Sequence, residues 1–397
     1  MQDLGRIGYQ SLGVPESGAM DQFALRCANI LVGNPEHYAG IEVTLFGPQL
    51  EFNQDQIISI TGADLGAMID GQNVSCWNTI RVIAGQKLTF RGPSNNGIRC
   101  YVAFGGGIDG GVVKEVLGSR STYVQGNLGG YEGRALQSGD MLHIGNVYDA
   151  PSVEKHLREI PTYSDDTVLR IVLGPQDDRF TKDSIQTLTK NLYTASVNSD
   201  RMGYRLEGEI LKHLDKADVI SDGNVFGVIQ VPADGLPIIL GADRGTTGGY
   251  AKIATVISAD RNKVAQMVPG ENLSFEIISL NEALAEYKKE EDILARLSSE
   301  SSSVQIFANN VGVEVLGSDG EQIVVPMGSS AMLLDATDGQ NKNVVEDLFN
   351  AGWTLESWFK EEKKLFNTYY ELAEDNAKTL EQLLNLGNSY SYNHHKR

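Results

Sequence analysis

Between residues 41 and 104 the chain repeats one pattern. Short runs rich in β-branched and aromatic residues (Ile41–Leu45, Ile57–Ile60, Asn78–Ile83 and Arg99–Phe104) alternate with turn signals at Gly47-Pro48, Asp70-Gly71, Ala84-Gly85 and Gly92-Pro93. Runs of four to six residues are too short for helices, and the glycines and prolines between them set tight turns. Such spacing predicts a barrel or sandwich of short strands. The 43 glycines among 397 residues point away from a helical bundle in the same way.

The same texture returns after residues 146–166, a stretch of prolines and acids that reads as a linker. Val168–Leu173 opens a second unit, and Leu273–Ile278 closes it. Gly-Pro-Gln occurs at 47–49 and 174–176, and Gly-Ala-Asp at 62–64 and 241–243, which hints at two related β units. Met141–Ile144 reads as the closing strand of the first. The stretch Pro237–Ile257 is the richest in chemistry. Two apolar runs, Ile238–Leu240 and Ile253–Ile257, flank Gly241–Tyr250, which holds four glycines, Asp243, Arg244, Thr246 and Thr247. Glycines let a ligand approach the backbone, and the threonines, exposed N–H groups and guanidinium can receive an anion. A Gly-rich hairpin with surface charge has the same composition.

Two helical patterns stand out. Met20, Phe23, Ala24, Cys27, Ala28 and Leu31 recur at helical spacing, so residues 18–32 predict an amphipathic helix capped by Ser17 and stopped by Gly33-Asn34-Pro35, with Asp21 and Arg26 off its apolar face. Beyond Asn281 come a charged helix at 282–297, a Ser-rich linker at 298–303, a β-like stretch at 304–335 and a helical stripe from Phe359 to Leu384. His394 and His395 stand in a frayed end and make only a weak metal signal. The run Gly105–Gly110 matches G-x-G-x-x-G, but no clear amphipathic helix follows, so it reads as a decoy. The fold expectation is mainly β (α+β): tandem barrel units at 1–150 and 151–281, then an acidic extension at 282–397.

Charge excludes some functions. The net charge is −19, and residues 282–397 carry 20 acidic against 10 basic residues. Nucleic-acid and anionic-membrane binding both require clustered Lys and Arg, so neither is expected. Cys27, Cys76 and Cys100 show no metal or redox spacing and read as buried small apolar residues. No signal peptide or membrane-length run is visible, so a cytoplasmic location is expected.

Six motifs in order then carry a resemblance over about residues 1–280: QDLGR at 2–6, GVPESGAMD at 13–21, ANILVGN at 28–34, GSRST at 118–122, DRMGYRL at 200–206 and GADRGTTGGYAKIATV at 241–256. Together they resemble the allophanate hydrolase subunit 2 family. That family includes the 5-oxoprolinase C subunit, the antagonist of a sporulation-kinase inhibitor, and the second half of the urea carboxylase carboxyltransferase domain. The resemblance implies cyclophilin-like barrel units. It also implies the C subunit of a heteromeric ATP-dependent 5-oxoprolinase, inactive alone, which opens 5-oxoproline to glutamate. Its implied partners are A-like and B-like subunits, the latter of the allophanate hydrolase subunit 1 family. ATP, shared with a partner and with Mg as its candidate companion ion, would activate the lactam carbonyl. Such a reaction needs cations, oxyanion donors and a base. Arg6, Arg120, Arg201, Arg205 and Arg244 are the candidate cations. Ser119, Gln230, Thr246, Thr247, Gly248, Gly249 and Tyr250 are further candidates for substrate or phosphate contacts. Asp3, Asp200 and Asp243 are candidate bases or orienters, and each has an arginine nearby that it could simply pair with. No metal site is expected.

The resemblance leaves alternatives: carboxyl transfer in a biotin-dependent urea or amide carboxylase, or a non-catalytic module that binds a kinase-inhibitor partner. Covalently attached biotin is not expected, since no Ala-Met-Lys-Met occurs and residues 304–341 hold no lysine. The chain departs from the family pattern in three places. Met1 stands where members usually have an N-terminal strand, Gly245 and Ala251 replace Gln and Pro, and residues 282–397 run past the usual end.

Overall fold

The computed structural model describes residues 1–299, apart from 94–96, 109–110, 146–154 and 165, together with four short strands between 305 and 334. Residues 1–301 form one compact unit and 302–397 another.

The N-terminal half of the first unit is two four-stranded sheets. One has the order β1 (Ile41–Thr44), β8 (Arg99–Phe104), β3 (Gln56–Gly62), β6 (Thr79–Val82); the other runs β2 (Leu50–Glu51), β7 (Lys87–Phe90), β4 (Ala67–Ile69), β5 (Gln72–Asn73). The four strand runs expected between residues 41 and 104 are all present. Their inner faces share a core of Val43, Phe52, Ile58, Ile60, Leu88, Val102 and Phe104. Every residue of β3 and β8 is buried, because each has sheet core on one side and helix on the other. Met141–Ile144 does not form the expected closing strand: only Ile144 bridges, to Ile108. No helix follows Gly105–Gly110 among the described residues, as the decoy reading expects.

The helix covering that sheet is α1 (Gln22–Leu31), shorter than expected. Its cap is Asp21, whose carboxylate accepts from the Ala24 N–H at 2.9 Å, and not Ser17, which stands at a left-handed φ of 55°. The reason is tertiary. Residues 16–19 run alongside residues 3–6, with Arg6 N donating to Glu16 O and Ala19 N to Asp3 O, so they cannot be helical. Nor do Asp21 and Arg26 lie on a solvated face: Asp21 is fully buried, and Arg26 is tied to Glu36 and Glu291.

The second half is a closed seven-stranded barrel. Its order is β15 (Thr247–Val256), β13 (Val228–Val231), β14 (Ile238–Leu240), β11 (Gly203–Glu207), β10 (Tyr193–Ala195), β16 (Asn272–Ile277) and β9 (Asp166–Leu173), and β9 pairs back to β15. Only β16 and β9 pair in parallel. An extra strand, β12 (Asp218–Gly223), lies on the outer side of β15. Leu169, Ile171, Tyr204, Ile229, Val231, Ile239 and Ile253 belong to its core. The chemistry-rich stretch is less of a loop than expected, because β15 already starts at Thr247. Short helices α2 (Lys182–Lys190) and α3 (Arg261–Gln266) complete this half.

Helix α4 (Leu280–Ser299) corrects the expected boundary at 281/282. Leu294 and Leu297 are buried with Phe23, Cys27 and Trp77, and Glu291 takes the Arg26 guanidinium in two bonds of 2.5 and 2.8 Å. It therefore belongs to the first unit, which runs to residue 301. All three cysteines are free; Cys27 and Cys100 are buried and Cys76 partly so, and burial pushes the Cys76 thiol up to about 12. The β-like stretch forms two hairpins, β17 (Gln305–Asn309) with β18 (Gly312–Leu316) and β19 (Ile323–Met327) with β20 (Ser330–Leu334). The stripe at 359–384, His394 and His395 lie outside the described residues. No helix among the described residues is long and apolar enough to cross a membrane.

Candidate functional site

The sequence motifs converge where residues 3–21 thread between the sheets and the barrel. Asp3 anchors the start. One carboxylate oxygen accepts from Ser119 Oγ (2.7 Å), Ser121 Oγ (2.6 Å) and Gly5 N (2.8 Å), and the other from Arg120 N (2.5 Å). Arg6 is fully buried and donates to the Val116 carbonyl at 2.9 Å and the Ser121 carbonyl at 2.6 Å; burial lowers its pKa. Gly18 adopts φ 88°, and a Cβ there would stand 2.9 Å from Gly5 N, so only glycine fits this crossing.

From the barrel side, Arg201 reaches across. It donates to both Asp243 oxygens at 2.9 and 3.2 Å, to the Gly18 carbonyl at 2.6 Å and to Glu42. Glu42 also accepts from Met20 N and the Tyr101 hydroxyl. Burial pushes the Glu42 carboxyl up, but Arg201 and Arg99 outweigh it and hold the group below the usual range. Arg244 is buried as well. It donates to the carbonyls of Asn224 and Gly241, both at 3.3 Å, and pairs with Glu16. The two halves are joined further by Gln266, whose amide accepts from Ile98 N and Arg99 N and donates to Asp21 and the Arg99 carbonyl. Arg99 donates to the Tyr204 hydroxyl at 2.7 Å.

A second group lies along β15 and its neighbours. Lys252 is only 2% exposed, and its ammonium reaches Asp222 at 3.4 Å. The bond from Gly223 N and the Lys252 charge hold the half-exposed Asp222 below the usual carboxylate range. Gln230 pairs with Lys252 across β13 and β15. A Cβ on Gly248 would meet the Asn224 amide at 2.9 Å and Gln230 Oε1 at 3.3 Å, so the side chains of Asn224 and Gln230 meet over this glycine. Asn224 Nδ2 donates to Gly245 O, while its Oδ1 is buried without a hydrogen-bond partner. An ammonium, two amides and an unused acceptor around a glycine pair suit an uncharged polar group such as an amide.

The expected site residues thus divide. Asp3, Arg6, Ser119, Arg201, Asp243 and Arg244 meet in the buried junction. Gln230, Thr247, Gly248, Gly249 and Tyr250 lie on β13 and β15, and Thr246 directly precedes them. Arg120 pairs with Glu115 and, with Asp3, His37 and Tyr38, lines a cavity of about 290 Å³ that borders the junction at Asp3. Asp200 and Arg205 are exposed; the Asp200 carboxylate accepts from Met202 N and Gly203 N and so shapes a turn. Glu42, Asn224, Asp222 and Lys252 are the residues that sequence reasoning passes over. A lysine inside the apolar run Ala251–Val256 is the one available signal. The junction arginines are largely engaged: Arg6 donates to two carbonyls, with its Nη1 left unpartnered, Arg201 is held by two carboxylates and Arg244 by Glu16. Arg120 pairs with Glu115 and Arg205 is exposed, so among the described residues these arginines form no cluster that fits a triphosphate.

Comparison with known proteins extends this picture. A family profile described as "Carboxyltransferase domain, subdomain A and B" matches residues 12–277. The 5-oxoprolinase C subunit of Haemophilus influenzae is 39% identical over 297 residues, 75% of this chain and 94% of the relative. That of Escherichia coli is 38% identical over 284 residues, 72% and 89%. The crystal structure of Kluyveromyces lactis urea carboxylase superposes with a TM-score of 0.68 at 27% identity; the match covers 84% of this chain but 31% of that one.

Proposed function

This chain belongs to the carboxyltransferase-domain family with subdomains A and B, and on that premise we propose that it acts as the C subunit of a 5-oxoprolinase, part of a hydrolase system. The observation that carries the reading is coverage: the likeness spans nearly the whole of two 5-oxoprolinase C subunits. The proposed reaction is hydrolysis of the lactam of 5-oxoproline to glutamate, driven by ATP bound on a partner protein, with Mg beside it. The engaged arginines support that division of labour, since among the described residues the buried junction has no uncommitted cluster of cations for a triphosphate. In this reading the junction holds the two halves in register, and the group along β15 receives the lactam. Lys252 would stabilise negative charge on the carbonyl oxygen, while Gln230 and Asn224 orient the amide. Thr246 and Thr247 stand at the entrance to β15. The protein works in a complex with A-like and B-like subunits in the cytoplasm and carries no attached biotin.

The second reading, carboxyl transfer to urea or another amide, is favoured by the likeness to urea carboxylase. Both readings place an amide at the same group. Co-expression with neighbouring A-like and B-like subunits, followed by assay of ATP turnover with 5-oxoproline and with urea, separates them. Turnover with 5-oxoproline by the complex, and none by the single chain, is expected. Robust turnover by the single chain, or turnover with urea alone, would overturn the reading.

A further inference from the structure

The cavity between α1, α3 and α4 has a volume of about 270 Å³ and lies apart from the group along β15. Gln22, Arg26, Phe226, Arg261, Tyr287 and Glu290 line it. Its two arginines differ. Arg26 is matched by Glu36 and Glu291. Arg261 stacks its guanidinium carbon 5.4 Å from the centre of the Phe226 ring, has no ion pair or hydrogen bond among the described residues, and leaves its buried Nε without a partner. Burial lowers its pKa, and so does the neighbouring charge of Arg244; the Glu16 and Glu290 carboxyls offset this only in part. A part-buried guanidinium in no ion pair, with a buried N–H left unpartnered, is costly and calls for an explanation.

We propose that this cavity binds a small monocarboxylate, with its anionic end on the Arg261 guanidinium and its apolar part against Phe226. Three features define the ligand. One guanidinium outside any ion pair can take one negative charge. The planar fork of a guanidinium matches a carboxylate in two parallel bonds. The volume falls just below the range of drug-sized pockets, so the ligand is about as large as an amino acid. A phosphate dianion is disfavoured, because a single guanidinium outside any ion pair offsets only one of its two charges. The Glu290 carboxyl, pushed up to about 7 mainly by burial, holds a proton over part of the neutral range and can donate to an acceptor on the ligand. Tyr287 and Glu290 belong to α4, so this wall of the cavity comes from the C-terminal helix of the first unit. The inference does not depend on the proposed activity.

Titration of the full chain at constant ionic strength tests it, read as melting temperature and by calorimetry. The probes are acetate, 5-oxoproline and inorganic phosphate. Both carboxylates are expected to raise the melting temperature saturably, and phosphate to leave it unchanged. Arg261→Leu is expected to melt no lower than the parent when unliganded and to weaken carboxylate binding by roughly tenfold or more, the loss of a charge-assisted bond. If leucine prevents folding, Arg261→Gln makes the same test. Absence of saturable binding by either carboxylate, an equal response to phosphate, or unchanged binding in the arginine variant that folds would overturn the proposal.

Discussion

Arg244 shows how far a residue's role depends on its surroundings. In sequence it belongs to a loop of glycines and threonines, where a lysine would keep the charge at little cost to the fold. In the structure it is 4% exposed and holds Asn224 O, Gly241 O and Glu16 at once. A lysine ammonium has no fork and cannot satisfy all three. Arg244→Lys is therefore expected to destabilise the chain by about 2–4 kcal/mol in urea unfolding, because buried acceptors lose partners. An unchanged unfolding midpoint would show that the buried bonds contribute little. Lys252 makes the opposite case. Replacing a buried ion by an apolar side chain of similar volume is often neutral, so Lys252→Met is expected to keep stability within about 1 kcal/mol. Activity of the reconstituted complex is expected to fall at least tenfold. A complex that turns over normally with methionine at 252 removes this lysine from the site.

At the scale of the element, α4 is the informative one. Its pattern is charged, and read alone it suggests a solvated helix. Its Leu294 and Leu297 nevertheless pack under α1, and Glu290 faces the interior beside Asp21, Arg26, Arg261 and Glu291. Burial raises the Glu290 carboxyl from its ordinary 4.5 to about 7 in the folded chain. The folded state therefore binds this proton more tightly than the unfolded state does. Its stabilising contribution is complete below about pH 4.5 and is lost as pH rises towards 7. Glu290→Gln is expected to leave stability nearly unchanged at pH 4.5 and to raise it by about 1–3 kcal/mol at pH 8. Denaturant melts at the two pH values check this, and an equal effect at both would mean that Glu290 ionises freely.

At the scale of the molecule, the folding unit ends after α4. A chain stopped near residue 281 exposes the α1 surface around Phe23 and Cys27 and leaves Arg26 without Glu291. Loss of two buried leucines alone costs about 3–6 kcal/mol. A chain stopped at 301 is expected to melt cooperatively at the temperature of the full chain's first unit, and one stopped at 281 to melt well below it. Matching melts would place α4 outside the unit. The same packing couples the two halves through Gln266, Arg99 and Arg201, so 1–301 is expected to unfold in one transition.

Much of the fold is local in origin and was legible in the chain. Apolar β-branched runs bounded by Gly-Pro and Asp-Gly dictate short strands, because strand period and turn geometry are set by neighbouring residues. Five of the six motifs likewise identified segments that meet in the junction; the sixth, at 28–34, ends α1. The chain alone did not decide which charges remain free. Asp3, Arg201, Asp243 and Arg244 look like chemistry in sequence, yet their partners Ser121, Glu42 and Glu16 come from distant segments. Nor did it decide that Ser17 yields the cap to Asp21, that α4 is internal, or that Arg261 stays out of any ion pair among the described residues. These depend on which surfaces meet in three dimensions. Burial removes the water that would otherwise screen each charge, so the surrounding partners, and not residue type, determine whether a charged side chain joins a structural network or remains available to a ligand.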